Sequence, residues 1–121
     1  MSDRIVTLKT LDSGTVTVRE PSWCLGHEGQ PVGYLADVTH NGEWTSATVD
    51  TARGPVEFLQ ARLSWAPFGE LQPEPYPVVE VVDVGDLNPG QLRALAAEAA
   101  VHAGRLYSLA NQLDRLWRYG R

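Results

Sequence analysis

A single cysteine, Cys24, rules out an intrachain disulfide, so this chain must be held together by something other than a sulfur bridge, and a reducing compartment suits it. No apolar run approaches the roughly 18 to 20 residues needed to cross a bilayer, and no charged stretch followed by an apolar one opens the chain. A cytoplasmic protein is expected. Lysine is nearly missing, with Lys9 alone against nine arginines, a bias of the kind a GC-rich genome imposes. A phosphate-cradling glycine loop, a dinucleotide fingerprint, a nucleophile elbow and a helically spaced carboxylate pair are all missing, which lowers the expectation of an enzyme. Internal repeats and low-complexity tracts are absent as well.

What is present is enough to fold. The chain has 121 residues, 43% hydrophobic and 21% charged, the composition of a globular unit that buries a core of its own. Its formal charge of −5 is unevenly spread. Residues 1–87 carry five basic and thirteen acidic side chains, whereas residues 88–121 carry five basic and two acidic. An acidic body repels phosphate, so nucleic acid is an unlikely partner, and only the carboxy-terminal segment could serve one.

The pattern of β-branched residues and turns predicts an α+β fold. Ile5 to Leu11 and Thr15 to Val18 flank Asp12-Ser13-Gly14 and read as a hairpin over 4–19, which Glu20-Pro21 ends because proline has no ladder N–H to donate. Tyr34 to His40 and Trp44 to Asp50 flank Asn41-Gly42, the pair best suited to a two-residue type I′ turn, and predict a second hairpin over 34–50. That register would set His40 opposite Glu43 on one face. Strands are expected at 56–65, with Leu59, Ala61, Leu63 and Trp65 alternating inward, and at 78–84, giving an antiparallel body of about six strands over 1–87.

Asn88-Pro89 supplies a cap and a first-turn proline for a helix over 89–119. Leu92, Leu95, Ala99, His102, Leu106, Leu109, Leu113 and Leu116 recur at three and four residues. This helix, part of the same domain as the body, would be roughly 45 Å long against a compact chain about 35 Å across, so its second half should overhang. Pairing of Leu106, Leu109, Leu113, Leu116 and Trp117 with a second copy would cover that exposed face, and a homodimer is expected. The alternative is a break near Gly104 that folds the helix back. His102, on the seam, reads as a core histidine, and the four tryptophans (Trp23, Trp44, Trp65, Trp117) as core or interface residues.

Chemistry concentrates in one stretch. Cys24-Leu25-Gly26-His27, followed by His40, offers a Cys-x2-His pair and a later histidine, a donor set and spacing suited to zinc. A fourth ligand is required, and Glu43, the more distant His102 or a water could supply it. Two other readings stand beside this one. Cys24 could be a small buried hydrophobe with both histidines bonded to backbone, or a nucleophile paired with a histidine and oriented by Asp37 or Glu43.

The Pro21-x-Trp23-Cys24-x-x-His27 element, His40-Asn41-Gly42 and the Ala/Leu-rich terminal helix together resemble a family of small uncharacterised proteins from Streptomyces and other actinobacteria, a domain of unknown function. The resemblance covers most of the chain and implies that Cys24, His27 and His40 belong to one motif. Some members of that family carry a further cysteine immediately before the proline, where this chain has Glu20. Two functional expectations follow: a non-enzymatic, dimeric interaction or regulatory module stabilised by zinc, and, as the alternative, a small metal- or cysteine-dependent hydrolase or transferase.

Overall fold

Six strands in two antiparallel sheets, packed against one long helix, make up residues 4–120, the part of the chain that the computed structural model describes. The expected α+β architecture is therefore present. Strands β1 (Arg4–Lys9) and β2 (Thr15–Glu20) form a two-stranded sheet of their own. Its turn closes where the sequence places it, with Gly14 at φ 65° and the Thr10 amide donating to the Gly14 carbonyl at 2.8 Å. The second sheet contains β3 (His40–Asn41), β4 (Thr45–Thr51), β5 (Gly54–Trp65) and β6 (Tyr76–Glu80), all paired with β5.

The hairpin expected over 34–50 does not form. Tyr34 to Val38 make a loop with a short 3-10 turn at Leu35–Asp37, and Asn41 ends strand β3 with Gly42 just beyond it, rather than the pair making a turn. His40 pairs with Trp65 and Asn41 with Ser64, on the same running register that joins Val49 to Val56 and Thr51 to Gly54. Strands β3 and β4 are thus one interrupted strand lying along β5, and the reversal is made by Ala52-Arg53. A type I′ turn needs positive φ at both central residues, and neither Asn41 nor Gly42 has it. Their polar groups go instead to β5: the Ser64 hydroxyl donates to Asn41 Oδ1 at 2.7 Å and the Gly42 amide to the Leu63 carbonyl at 2.9 Å. A twelve-residue strand with apolar side chains offers more pairing than a local turn.

Alternation along β5 is also broken once. Between the pairs Thr45–Ala61 and Ala47–Phe58 the ladder carries an extra residue on β5, and Leu59 there has φ 49°. A bulge of this kind re-aims the side chains beyond it. Phe58 therefore shares the inner face with Ala61 and Leu63, and Leu59 is only partly buried, against Ala47, Val49 and Phe58. The last strand pairs over Tyr76–Glu80, earlier than expected, and Val84 follows onto the same core cluster.

Helix α1 (Pro89–Tyr119) is continuous through Gly104. Asn88 and Gln91 form a reciprocal capping box in which each side chain accepts from the other's backbone amide, so the first turn starts with its donors satisfied. The inward stripe runs through the partly buried Gln91, Leu95 and Glu98 to the buried His102, so Gln91 and Glu98 take the inward places expected for Leu92 and Ala99.

Nor does the second half overhang. Arg105 Nη1 donates to the Ser46 carbonyl at 3.1 Å and Trp117 Nε1 to the Pro75 carbonyl at 2.6 Å. Leu106, Leu109, Leu113 and Leu116 are partly buried within the single chain, while Trp117 stays 52% exposed. The helix lies along the body because the interrupted β3–β4 strand and β5 make the sheet long in the same direction. Among the described residues, no helix is long and apolar enough to cross a membrane.

His102 is fully buried, and its Nε2 lies 2.5 Å from the Leu59 carbonyl. Because the partner is a carbonyl, Nε2 carries the proton, and the helix is pinned to the bulge. Replacing His102 by Leu leaves that carbonyl buried without a donor, so stability should fall by roughly 1–3 kcal/mol in urea denaturation; an unchanged midpoint would mean that the contact is not a support of the fold.

Candidate metal centre

The face of β2 that turns inward carries Val16, Val18 and then Glu20, so the two-residue alternation delivers a carboxylate where an apolar side chain is expected. Pro21 ends the strand. A turn follows in which the Cys24 amide donates to the Pro21 carbonyl at 3.0 Å, bringing Cys24 back beside Glu20. Gly26, at φ 100°, allows the next bend, which aims its amide at Cys24 Sγ (3.4 Å) and returns His27 to the same point. The Leu25 amide on the Asn41 carbonyl (2.9 Å) ties this loop to β3, whose first residue is His40.

The ligand-type atoms of Glu20, Cys24, His27 and His40 all lie within 4.8 Å of one another. Cys24 Sγ donates to Glu20 Oε1 at 3.2 Å, His27 Nε2 lies 3.0 Å from the same oxygen, and Sγ and Nε2 are 3.8 Å apart. A tetrahedral zinc with bonds of about 2.0–2.3 Å holds its ligands roughly 3.3–3.6 Å apart, and the three separations bracket that range. Side-chain exposure is 1% for Glu20 and 9% for His27, and the residues Cys24 and His40 are 7% and 0% exposed.

Around these four sits a set of orienting contacts of the type that metal ligands use. Gln30 Oε1 lies 3.1 Å from His27 Nδ1. A carboxamide oxygen only accepts, so Nδ1 bears the hydrogen, and in a neutral ring Nε2 presents a lone pair to Glu20 Oε1. Two acceptors so placed require a proton or a metal between them. Arg4 Nε bonds the other oxygen, Oε2, leaving Oε1 for the centre. His40 stacks at a tilt on Trp65, its ring centroid 5.4 Å away, and meets His27 edge-on at 5.2 Å. Both of its ring nitrogens are buried without a hydrogen-bond partner.

The electrostatics are those of a buried donor set. Burial works to raise the Glu20 carboxyl, but hydrogen bonds from Arg4 and Cys24, with the charges of Arg4 and His27, hold it below its usual range. Burial pushes the Cys24 thiol up, helped by Glu20 and opposed by the Gly26 and Asn41 backbone. His40 is pushed down to about 4 by burial and by His27, with Glu20 opposing, so it is neutral at pH 7 and able to ligate.

The sequence-derived ligands Cys24, His27 and His40 are thus brought together, and Glu43 is not. Glu43 is exposed and outside the cluster, because the register that would have faced it to His40 is replaced by pairing of His40 with Trp65. His102 is engaged on Leu59, and Asp37 is exposed. The fourth donor is Glu20, which sequence reasoning placed only as a strand end. Its signal was the Val16-x-Val18-x-Glu20 alternation, a carboxylate on an apolar stripe.

One consequence concerns acid. In the metal-free chain the His40 pKa of about 4 lies below the 6.5 of an unperturbed imidazole, so between these values the unfolded state binds more protons than the native one. Stability should therefore fall as pH drops through that window, by roughly 3 kcal/mol in full, and the lowered Glu20 pKa adds a further loss below it. Urea denaturation across the window checks this; a flat profile, with the same profile in a His40→Phe variant, would exclude a buried neutral His40.

No curated protein and no solved structure matches the chain. A family profile matches residues 5–115, nearly the whole length, and on that match the chain belongs to DUF6907, a domain of unknown function.

Proposed function

We propose that this chain is a small non-enzymatic interaction or regulatory module whose fold is fixed by one zinc ion held by Glu20, Cys24, His27 and His40. The observation that carries the reading is the convergence of four donors, three buried and His27 partly so, within 4.8 Å, with both nitrogens of His40 unpartnered. One sulfur, two imidazoles and one carboxylate suit zinc, and the thiolate argues against magnesium or calcium. A thiolate and a carboxylate also neutralise a dication, so the loaded site buries no net charge.

Burial favours structure over catalysis. A catalytic zinc keeps a position open to water and substrate, whereas Glu20 and His40 here are almost completely enclosed. A cysteine nucleophile is disfavoured too, since burial pushes the Cys24 thiol up, away from the thiolate that such chemistry needs. Self-association through α1 belongs to the same reading, at Leu106, Leu109, Leu113 and Leu116, which are partly buried in the single chain, with the exposed Trp117. Sedimentation velocity should show a species of twice the chain mass.

Protein purified from zinc-replete medium should contain one zinc per chain by elemental analysis and native mass spectrometry. Cobalt substitution should give the absorption of a tetrahedral ion with a thiolate-to-metal band, which Cys24→Ser abolishes. Gln30→Ala, which removes the contact orienting His27, should weaken zinc binding about tenfold to a hundredfold. A chain that takes up no metal under these conditions would sink the proposal, and zinc bound without a thiolate band would place it elsewhere.

A further inference from the structure

The chain is built in two parts that meet at the four donors. Residues 4–39 are the β1–β2 hairpin and the loop behind it, fastened to each other by the Leu11 amide on the Gly33 carbonyl (2.8 Å) and the Leu35 amide on the Asp12 carboxylate (2.9 Å). Residues 40–120 are the larger sheet and α1, fastened by the His102, Arg105 and Trp117 contacts. Among the described residues, no strand of one sheet pairs with a strand of the other.

Several of the contacts that cross between the parts lie next to the cluster. The Leu25 amide reaches the Asn41 carbonyl, and Trp23 lies close against Gly42. Glu20, Cys24 and His27 come from the first part, and His40 from the opening strand of the second. Polar demand is left unmet on both sides of this junction, at the two bare nitrogens of His40 on the body side and at Trp23 Nε1 on the other. The core of the body, Ala47, Val49 and Phe58 with Leu59, Val84 and Leu95, includes no residue of the hairpin.

Resting on the zinc reading, we infer that the centre is a clasp: the ion closes residues 4–39 onto the sheet and helix, and its loss frees them while the body stays folded. With the ion in place, moving the hairpin away breaks the bond between the metal and His40. Without it, the contacts that remain include the ring contact of His27 with His40, the packing of Trp23 on Gly42 and the bond from the Leu25 amide to the Asn41 carbonyl. Opening also uncovers α1, because Trp23 lines clefts shared with Leu109 on one side and Leu116 on the other. Metal occupancy thereby sets how much of the leucine face of the helix meets solvent, and this is the regulated property.

Hydrogen–deuterium exchange on the full chain, zinc-saturated and after chelation, tests the clasp, with metal content read by native mass spectrometry on the same samples. After chelation the amides of β1, β2 and residues 21–30 should exchange at least about tenfold faster, while those of β4, β5 and α1 keep their protection. His40→Ala, in excess zinc, should exchange like the chelated parent in the hairpin and like the loaded parent in α1. If zinc is bound but chelation changes neither part, or loosens both together, the clasp is wrong and the metal centre stands. If no zinc is taken up, both fall.

Discussion

Lone pairs crowded together out of water need positive charge between them, and the rest of this structure is arranged around that constraint. Glu20 Oε1, Cys24 Sγ, His27 Nε2 and the His40 ring are drawn to one point from the end of β2, a loop and the start of β3. In the metal-free state part of the demand is met by protons: the Cys24 thiol donates to Glu20, and Arg4 holds the second carboxylate oxygen. His40 is left over. A buried imidazole with neither nitrogen bonded is costly, and a dication shared by all four would give one of the two a partner.

The larger sheet solves a different problem, that of carrying a straight helix along most of its length. The solution is the bulge at Leu59. By placing one residue at positive φ, β5 re-aims its side chains so that Phe58 and Ala61 both face inward, and it offers the Leu59 carbonyl to His102. A leucine in that conformation is strained, and glycine would adopt it more readily. The partial burial of its side chain against Ala47, Val49 and Phe58 and the bond from His102 work in the other direction. The histidine on the leucine seam is thus a packing and hydrogen-bonding residue of the core, as its place in the heptad suggests.

Elements defined by local chemistry were legible in the sequence, and those decided by competition between partners were not. Asn88-Pro89 started the helix as a cap must, and Asp12-Ser13-Gly14 turned the first hairpin. Asn41-Gly42 carried an equally good local signal and lost, because its groups found Ser64 and Leu63 on a longer strand. Cys24, His27 and His40 were legible from donor type and spacing. Glu20 was hidden by its position in a strand, where a carboxylate next to a proline reads as an end.

A carboxylate at position 20 has a physical consequence of its own. A carboxylate has Arg4, which keeps it ionised despite burial, and His27, whose imidazolium form it can bind. The empty state is therefore not an uncompensated hole, and the free-energy gap between loaded and empty is smaller than for a site whose donors have nothing else to bind. Glutamate also binds zinc through a harder, less polarisable atom than thiolate does. Both effects act in the same direction: they would weaken the hold on a metal at this site, and they leave a compensated, foldable chain when the site is empty.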